Sequence, residues 1–466
     1  MIQLYWKNAT AHVVGPQHGL QQDEISGIHD RLIEAHRSVL GKITQGSLGY
    51  ARLPERTDYV RGVLNLAERY RPDTTDMLVL GIGGSALGNI AIQSALNPAT
   101  YNLLSDARRG GPRLFVLDNV DPSLVADTLH LLGRRLKTTL VNVISKSGET
   151  AETAGQFMIV RELLRKKLGE GFASRIVATT DMEKGTLHDI ALADGYAMLP
   201  VPPDVGGRFS VLSPVGLFSA AMCGIDIRQL LAGAADMRAR CQVHHWRQNP
   251  AVLLAMIKYL AMTAKGKHLH VMMPYSNRLY MLADWYKQLW AESLGKKLSR
   301  SGLEVFVGPT PIKALGATDQ HSQVQLYRQG PNDKLIIFLE AAKHPQDVRV
   351  PDVFPDSPGL SYLRKVKLSK LLQAEKQATE YALAESARPS VTIRFDAITP
   401  HSVGEFVFLY EFTTSLMGEL LDIDAYDQPA VELGKQATFA LMGRPGFQEL
   451  AGGIKSFCRI DEEYLA

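Results

Sequence analysis

The chain is 466 residues long, with 51 Lys and Arg against 48 Asp and Glu, a formal net charge of +3 and 45% hydrophobic residues. That near-balance excludes nucleic-acid binding through a global basic field, and the ordinary glycine and proline usage excludes collagen-like, low-complexity and disordered classes. Three scattered cysteines, Cys223, Cys241 and Cys458, form no C-x-x-C pair, so neither a disulfide framework nor a cysteine zinc site is expected.

The N-terminus, MIQLYWKNATAHVV, lacks the basic and continuous apolar regions of a secretory signal. The most apolar stretches, Val211 to Ile227 and Phe406 to Leu421, are too short or too interrupted for the roughly 20 apolar residues of a membrane span. A cytoplasmic protein without a membrane partner is expected. Residues Asp23 to Leu40 carry Ile25, Ile28, Leu32, Ile33 and His36 at three- and four-residue steps, which predicts a helix. Met77 to Leu80 then reads as a strand entering a glycine-rich turn and a helix. Leu114 to Leu117 reads as another strand, and Leu140 to Ile144 as a strand entering SKSGET and a further helix. Farther on, Leu269 to Met273, Leu335 to Leu339 and Val391 to Phe395 read as strands between helical segments, and Val403 to Leu421 as a long helix. Short buried strands alternating with helices predict parallel sheets covered on both faces, with ligands beyond the carboxyl ends of the strands. The change from a glycine- and proline-rich turn to continuous helix between Cys223 and Cys241 is the candidate domain boundary.

Several segments carry chemistry. In Gly81-Ile-Gly-Gly-Ser-Ala-Leu-Gly88, the residues Gly81, Gly83 and Ala86 fit the dinucleotide fingerprint, but Asp118 lies well beyond the spacing expected of its acidic partner. A phosphate group at the helix N-terminus is favoured over a dinucleotide or a bare tight turn. Ser145-Lys-Ser-Gly-Glu-Thr150 offers hydroxyls, an ammonium and helix-end amides to a phosphate monoester, with simple helix capping as the competing reading. Val205-Gly-Gly-Arg-Phe-Ser210 frees Arg208 to point into a cleft. In Trp285 to Gly295 a helix is expected to end at Gly295. Glu292 sits near its C-terminus, where the helix dipole opposes a carboxylate and structure alone gives no reason for one. His321 lies in the polar run Gly316 to Gln325, and no spacing supports a histidine metal site. Tyr426-Asp-Gln-Pro-Ala-Val-Glu-Leu-Gly-Lys435 reads as a turn entering a helix through Pro429.

Six ordered segments, GIGGSALG, SKSGET, GGRFSVLSPVG, WAESLGKK, GATDQHSQVQ and AYDQPAVELGKQ, together resemble the glucose-6-phosphate isomerase family, also called phosphoglucose isomerase. The resemblance runs from Gly81 to Lys435. It implies an α/β chain of two α/β/α sandwich domains of the sugar-isomerase type, with doubly wound parallel sheets and terminal helical arms. The expected division is 1–50 as an N-terminal helical arm, 51–225 as the first domain with the phosphate loops, 226–440 as the second with the Glu and His segments, and 441–466 as a C-terminal helical tail.

The resemblance further implies interconversion of glucose 6-phosphate and fructose 6-phosphate, without cofactor or metal, in a homodimer. Gly84, Ser85, Ser145, Lys146, Ser147 and Thr150 would hold the sugar phosphate, and Gln288 and Gln428 would line the pocket. Glu292 would move the proton between C2 and C1, and Arg208 would stabilise the developing negative charge. His321, supplied by the neighbouring subunit, and Lys435 would assist ring opening. Gly148 and Glu149 depart from the family's aromatic and threonine, and a glutamate beside a dianion is unfavourable unless it points away. A non-catalytic sugar-phosphate sensor would not need the Glu, His and Lys set, and a nicotinamide dehydrogenase rests only on Gly81, Gly83 and Ala86.

Overall fold

A computed structural model describes residues 1–466. The strands are β1 (Ile2–Tyr5), β2 (Asp76–Leu80), β3 (Arg113–Leu117), β4 (Thr139–Ile144), β5 (Ile176–Thr180), β6 (Ala197–Pro200), β7 (Leu269–Pro274), β8 (Lys296–Leu298), β9 (Glu304–Val307), β10 (Thr310–Lys313), β11 (Lys334–Lys343) and β12 (Ser390–Ala397). The first sheet has the order β3-β2-β4-β5-β6 and is parallel throughout. Its β2, β4 and β5 are buried along their whole length, as a sheet covered on both faces requires. The chain order reverses between β2 and β4. The crevice beyond the carboxyl ends of a sheet at such a switch point is where open α/β folds bind ligands, and both the Gly81 and the Ser145 loops open there.

The second sheet has the order β1-β12-β11-β7-β10. Its strands β7, β10, β11 and β12 are parallel and repeat the winding of the first sheet, while β1 lies antiparallel along β12. The N-terminal arm therefore opens with an edge strand of the second sheet, where only helix was expected. Buried Glu405 holds it there: the Ile2 amide donates to Oε2 at 2.8 Å, and Arg240 Nη1 donates to the Ile2 carbonyl at 3.0 Å. The helix expected over Asp23 to Leu40 divides at Ile28 into Gln22–Gly27 and His29–Thr44. The second of these is tied to the long Pro400–Leu420 helix, where Glu419 accepts from Ser38 Oγ at 2.9 Å and from Arg300 Nη1 at 2.7 Å.

The Pro400–Leu420 helix starts at a Thr399 capping box and is buried over almost its whole length. One apolar cluster joins it to the Ile227–Cys241 and Pro250–Thr263 helices, the N-terminal arm and one face of each sheet, so a common core crosses the proposed boundary. Beyond Pro429 the pattern changes. The Glu432–Leu441 and Gln448–Phe457 helices pack on each other and are largely exposed. No helix is long and apolar enough to cross a membrane.

Candidate active site

The residues singled out in sequence divide between one deep cleft, the loop after β4 and two exposed positions. The cleft, of about 1250 Å³, is lined by Gly83, Gln288, Glu292, Lys296, Asp427 and Gln428 among others. The Tyr280–Leu294 helix carries two of these on the face opposite buried Tyr286 and Trp290. Its last turn places Glu292 at the mouth, and the chain leaves at Gly295 as the motif predicts.

Arg208 is 3% exposed and uses every nitrogen of its guanidinium. Its Nε donates to Ser293 Oγ at 2.7 Å, Nη1 to Glu292 Oε1 at 3.0 Å and to Gln428 Oε1 at 2.9 Å, and Nη2 to the carbonyls of Ala425 at 2.7 Å and Asp427 at 3.1 Å. Burial pulls this guanidinium below its ordinary value, and the Glu292 carboxylate pulls it back up. The other Glu292 oxygen accepts from Gln288 Nε2 at 3.0 Å. A carboxylate opposed by its own helix dipole is thus held by two donors, Gln288 in the cleft wall and Arg208 buried behind it. Meanwhile Lys296 Nζ takes up the terminal Glu292 carbonyl at 3.2 Å.

Lys296, not singled out in any motif above, also lines the cleft. It is 8% exposed and ion-pairs with Asp427 at 2.9 Å, bridging the helix end to the turn that carries Gln428. The signal was its place in WAESLGKK, just after the glycine that ends the helix.

The Gly81 loop meets this cleft directly. Gly83 adopts φ +58° beside Gln288, and a Cβ on Gly84 would lie 2.2 Å from the Gly207 carbonyl oxygen and 2.9 Å from the Arg208 amide. Ser85 closes a short turn of helix over Gly83–Ser85, ahead of the Leu87–Leu96 helix. Because both clashing groups are backbone, Gly84→Ala must push the loop away from the arginine segment. We expect kcat/KM to fall about 10²-fold, since displacing reacting groups by about an ångström has that effect. Steady-state kinetics checked against thermal unfolding separate this from simple misfolding; unchanged kcat/KM would show that the close approach is dispensable.

The second loop follows β4 and contributes no residue to the lining of the cleft. Ser145 is buried and its Oγ accepts from the Gly148 amide at 3.0 Å, while Ser147 Oγ accepts from the Glu149 amide at 3.2 Å. Thr150 occupies the cap position of the Ala151–Leu168 helix, but its hydroxyl makes no capping bond. Lys146 Nζ donates to the Pro203 carbonyl at 2.9 Å.

Two residues lie elsewhere. His321 is exposed at the end of a turn and does not line the Glu292 cleft; Asp319 shapes that turn by accepting from the Leu315 amide and from Ser322 Oγ. Lys435 is exposed on the C-terminal arm and ion-pairs with Glu432 at 2.7 Å, so the chain on its own does not bring it to Glu292. No group of three or more His, Cys, Asp or Glu side chains is placed to hold a metal ion.

Comparison with known proteins adds an independent line. The family model for phosphoglucose isomerase matches residues 69–445. A glucose-6-phosphate isomerase of Carboxydothermus hydrogenoformans is 47% identical over 92% of each chain. One of Rubrobacter xylanophilus is 43% identical over 92% of this chain and 96% of its own. Among solved structures, a hypothetical protein from Thermus thermophilus superposes with a TM-score of 0.83 at 36% identity, covering 95% of this chain and all of that one. A glucose-6-phosphate isomerase from Chlamydia trachomatis superposes with a TM-score of 0.74 at 25% identity, covering 87% of this chain and 77% of that one.

Proposed function

The chain belongs to the phosphoglucose isomerase family, and on that premise we propose that it interconverts glucose 6-phosphate and fructose 6-phosphate at the Glu292 cleft. The observation that carries the reading is the Glu292 carboxylate, held between Arg208 Nη1 and Gln288 Nε2 at 3.0 Å each and facing a cavity large enough for the substrate. After ring opening, Glu292 removes the proton alpha to the carbonyl, at C2 of the aldose, and returns it to C1 to give the ketose. Between the two transfers negative charge gathers on the enediolate oxygens, and a fixed guanidinium stabilises that state more than the neutral carbonyl. Gln288 and Gln428 orient the sugar hydroxyls. Gly84, Ser85, Ser145, Lys146, Ser147 and Thr150 hold the phosphate at the switch point of the first sheet.

Ring opening calls for an acid and a base at the ring oxygen and O1, and His321 and Lys435 are assigned to it. His321 of one chain serves the cleft of a second copy, which makes the protein a homodimer. Two features support this: His321 is exposed and outside its own cleft, and the cleft exceeds the roughly 300–1,000 Å³ typical of a small-molecule site. Lys435 requires the C-terminal arm to settle over the substrate. A cytoplasmic setting and the division at 50, 225 and 440 complete the proposal.

The direct test is to supply fructose 6-phosphate and measure glucose 6-phosphate formation in a coupled assay; binding without turnover would make the protein a sensor. For the shared site, inactive His321→Ala and Glu292→Gln chains are mixed and reassociated. One cleft in the mixed dimer then carries both native groups, and about half of the activity of a wild-type dimer is expected from each heterodimer. Confirmed exchange of subunits with no recovered activity would place His321 in its own chain's site.

A further inference from the structure

Two residues of the phosphate loop, Gly148 and Glu149, offer a phosphate no donor side chain, and the fold accounts for each. Gly148 adopts φ +80°, and a Cβ there would lie 2.3 Å from the Leu187 amide nitrogen, so neither the conformation nor the space admits a side chain. Glu149 turns outward, where its carboxylate accepts from Arg444 Nη2 at 2.7 Å and from Thr186 Oγ1 at 3.3 Å.

Arg444 stands on the C-terminal arm, between its two helices. From residue 432 onward, the Arg444 bond to Glu149 is the one side-chain hydrogen bond that reaches the rest of the molecule; the others stay within the arm. With the two side chains 41% and 49% exposed, the pair adds little to folding stability. Its consequence lies in where it sits. Glu149 follows Ser147 and precedes Thr150, so its charge stands within the loop that receives a phosphoryl dianion. The loop's own cation, Lys146, spends one of its three donors on the Pro203 carbonyl.

We propose that Arg444 is a charge-compensating residue of the phosphate site, cancelling the Glu149 carboxylate that would otherwise repel the substrate's phosphoryl group. The inference rests on the assignment of the Ser145 to Thr150 loop to that group. It assigns Arg444 no contact with the reacting carbons, so it acts on substrate affinity and not on the proton transfer. The guanidinium holds the Glu149 carboxyl below its ordinary range, in keeping with a carboxylate that stays ionised and paired when the substrate arrives.

The test compares wild type, R444A, E149Q and the R444A/E149Q double variant as full-length protein. It reads kcat and KM for fructose 6-phosphate and the competitive inhibition constant of inorganic phosphate. R444A is expected to raise both KM and that inhibition constant about three- to tenfold; the inhibition constant decides, because kcat also depends on where the arm holds Lys435. E149Q, which frees the guanidinium, is expected to lower the inhibition constant. The double variant should return to within about twofold of wild type, and added salt should shrink every difference. Unchanged constants in R444A would overturn the proposal. So would E149Q or the double variant binding as weakly as R444A, because the contact would then anchor the arm mechanically. Wild-type turnover reads the isomerase assignment separately, and S147A, which leaves the ion pair intact, reads the assignment of the loop.

Discussion

Glutamine in place of Glu292 is expected to lower kcat about 10³-fold or more while KM moves less than about threefold. The substitution keeps shape and one acceptor. Its carbonyl oxygen can still take the proton of Arg208 Nη1, which now stands 3.0 Å from Glu292 Oε1, and the four other bonds of the guanidinium remain. The buried arginine thus keeps its polar partners, and loss of fold is not the expected cause of lost activity. What disappears is the basic lone pair, and an amide cannot take a proton from carbon. Of the two other carboxylates in the cleft wall, Asp427 is paired with Lys296 at 2.9 Å and Asp424 accepts from the Tyr426 amide at 2.8 Å, so neither stands where Glu292 does between Arg208 and Gln288. Rate and binding should therefore separate, with competitive inhibition by a sugar phosphate retained. Activity within tenfold of wild type would remove Glu292 as the base, and a matching loss of inhibitor binding would make it a binding residue instead.

Much of this arrangement was legible in the chain because it depends on local pattern. The strands at 77–80, 114–117, 140–144, 269–273, 335–339 and 391–395 all lie within β2, β3, β4, β7, β11 and β12, since buried parallel strands are continuous apolar runs. The long C-terminal helix was visible for the same reason. What could not be read depends on partners far away in sequence. Ile2–Tyr5 is too short to announce itself, and it becomes a strand through β12 and the Glu405 carboxylate, about 400 residues on. Thr310–Lys313 contains Pro311, which speaks against a strand, yet it is admitted at the edge of the sheet, where one face of the ladder is unpaired. At the site, motifs identified Arg208, Gln288, Glu292 and Gln428 as residues of interest but not their mutual contacts. The five bonds of Arg208 come from segments 84 to 220 residues apart, and only the folded chain brings those together. The direction taken by Glu149 was open for a similar reason, because its partner stands 295 residues away.

Arg208→Lys keeps a cation and is nonetheless expected to lower kcat/KM about 10²-fold, the cost of displacing reacting groups by about an ångström, because all five N–H donors of the guanidinium fix the groups around Glu292. An ammonium has three donors on a flexible stem, where the guanidinium presents a planar fork. It cannot reach Ser293, Glu292, Gln428 and the Ala425 and Asp427 carbonyls at once, so some of these groups lose their partner. The turn carrying Gln428 would come loose from the helix that carries Glu292, with Lys296 as its remaining tie. A second effect follows from burial. The desolvation that pulls Arg208 below its ordinary value leaves a guanidinium charged, but a lysine starts at about 10.4 and is lowered toward the working range. A lysine with a depressed pKa is charged below that pKa and neutral above it. The residual activity of the variant should therefore fall as pH rises over the alkaline range, where wild type keeps its cation. The measurement is kcat/KM against pH for both proteins, with thermal unfolding followed in parallel. A variant within about tenfold of wild type across that range would show that charge alone suffices at this position, and that the fork of hydrogen bonds serves stability rather than catalysis.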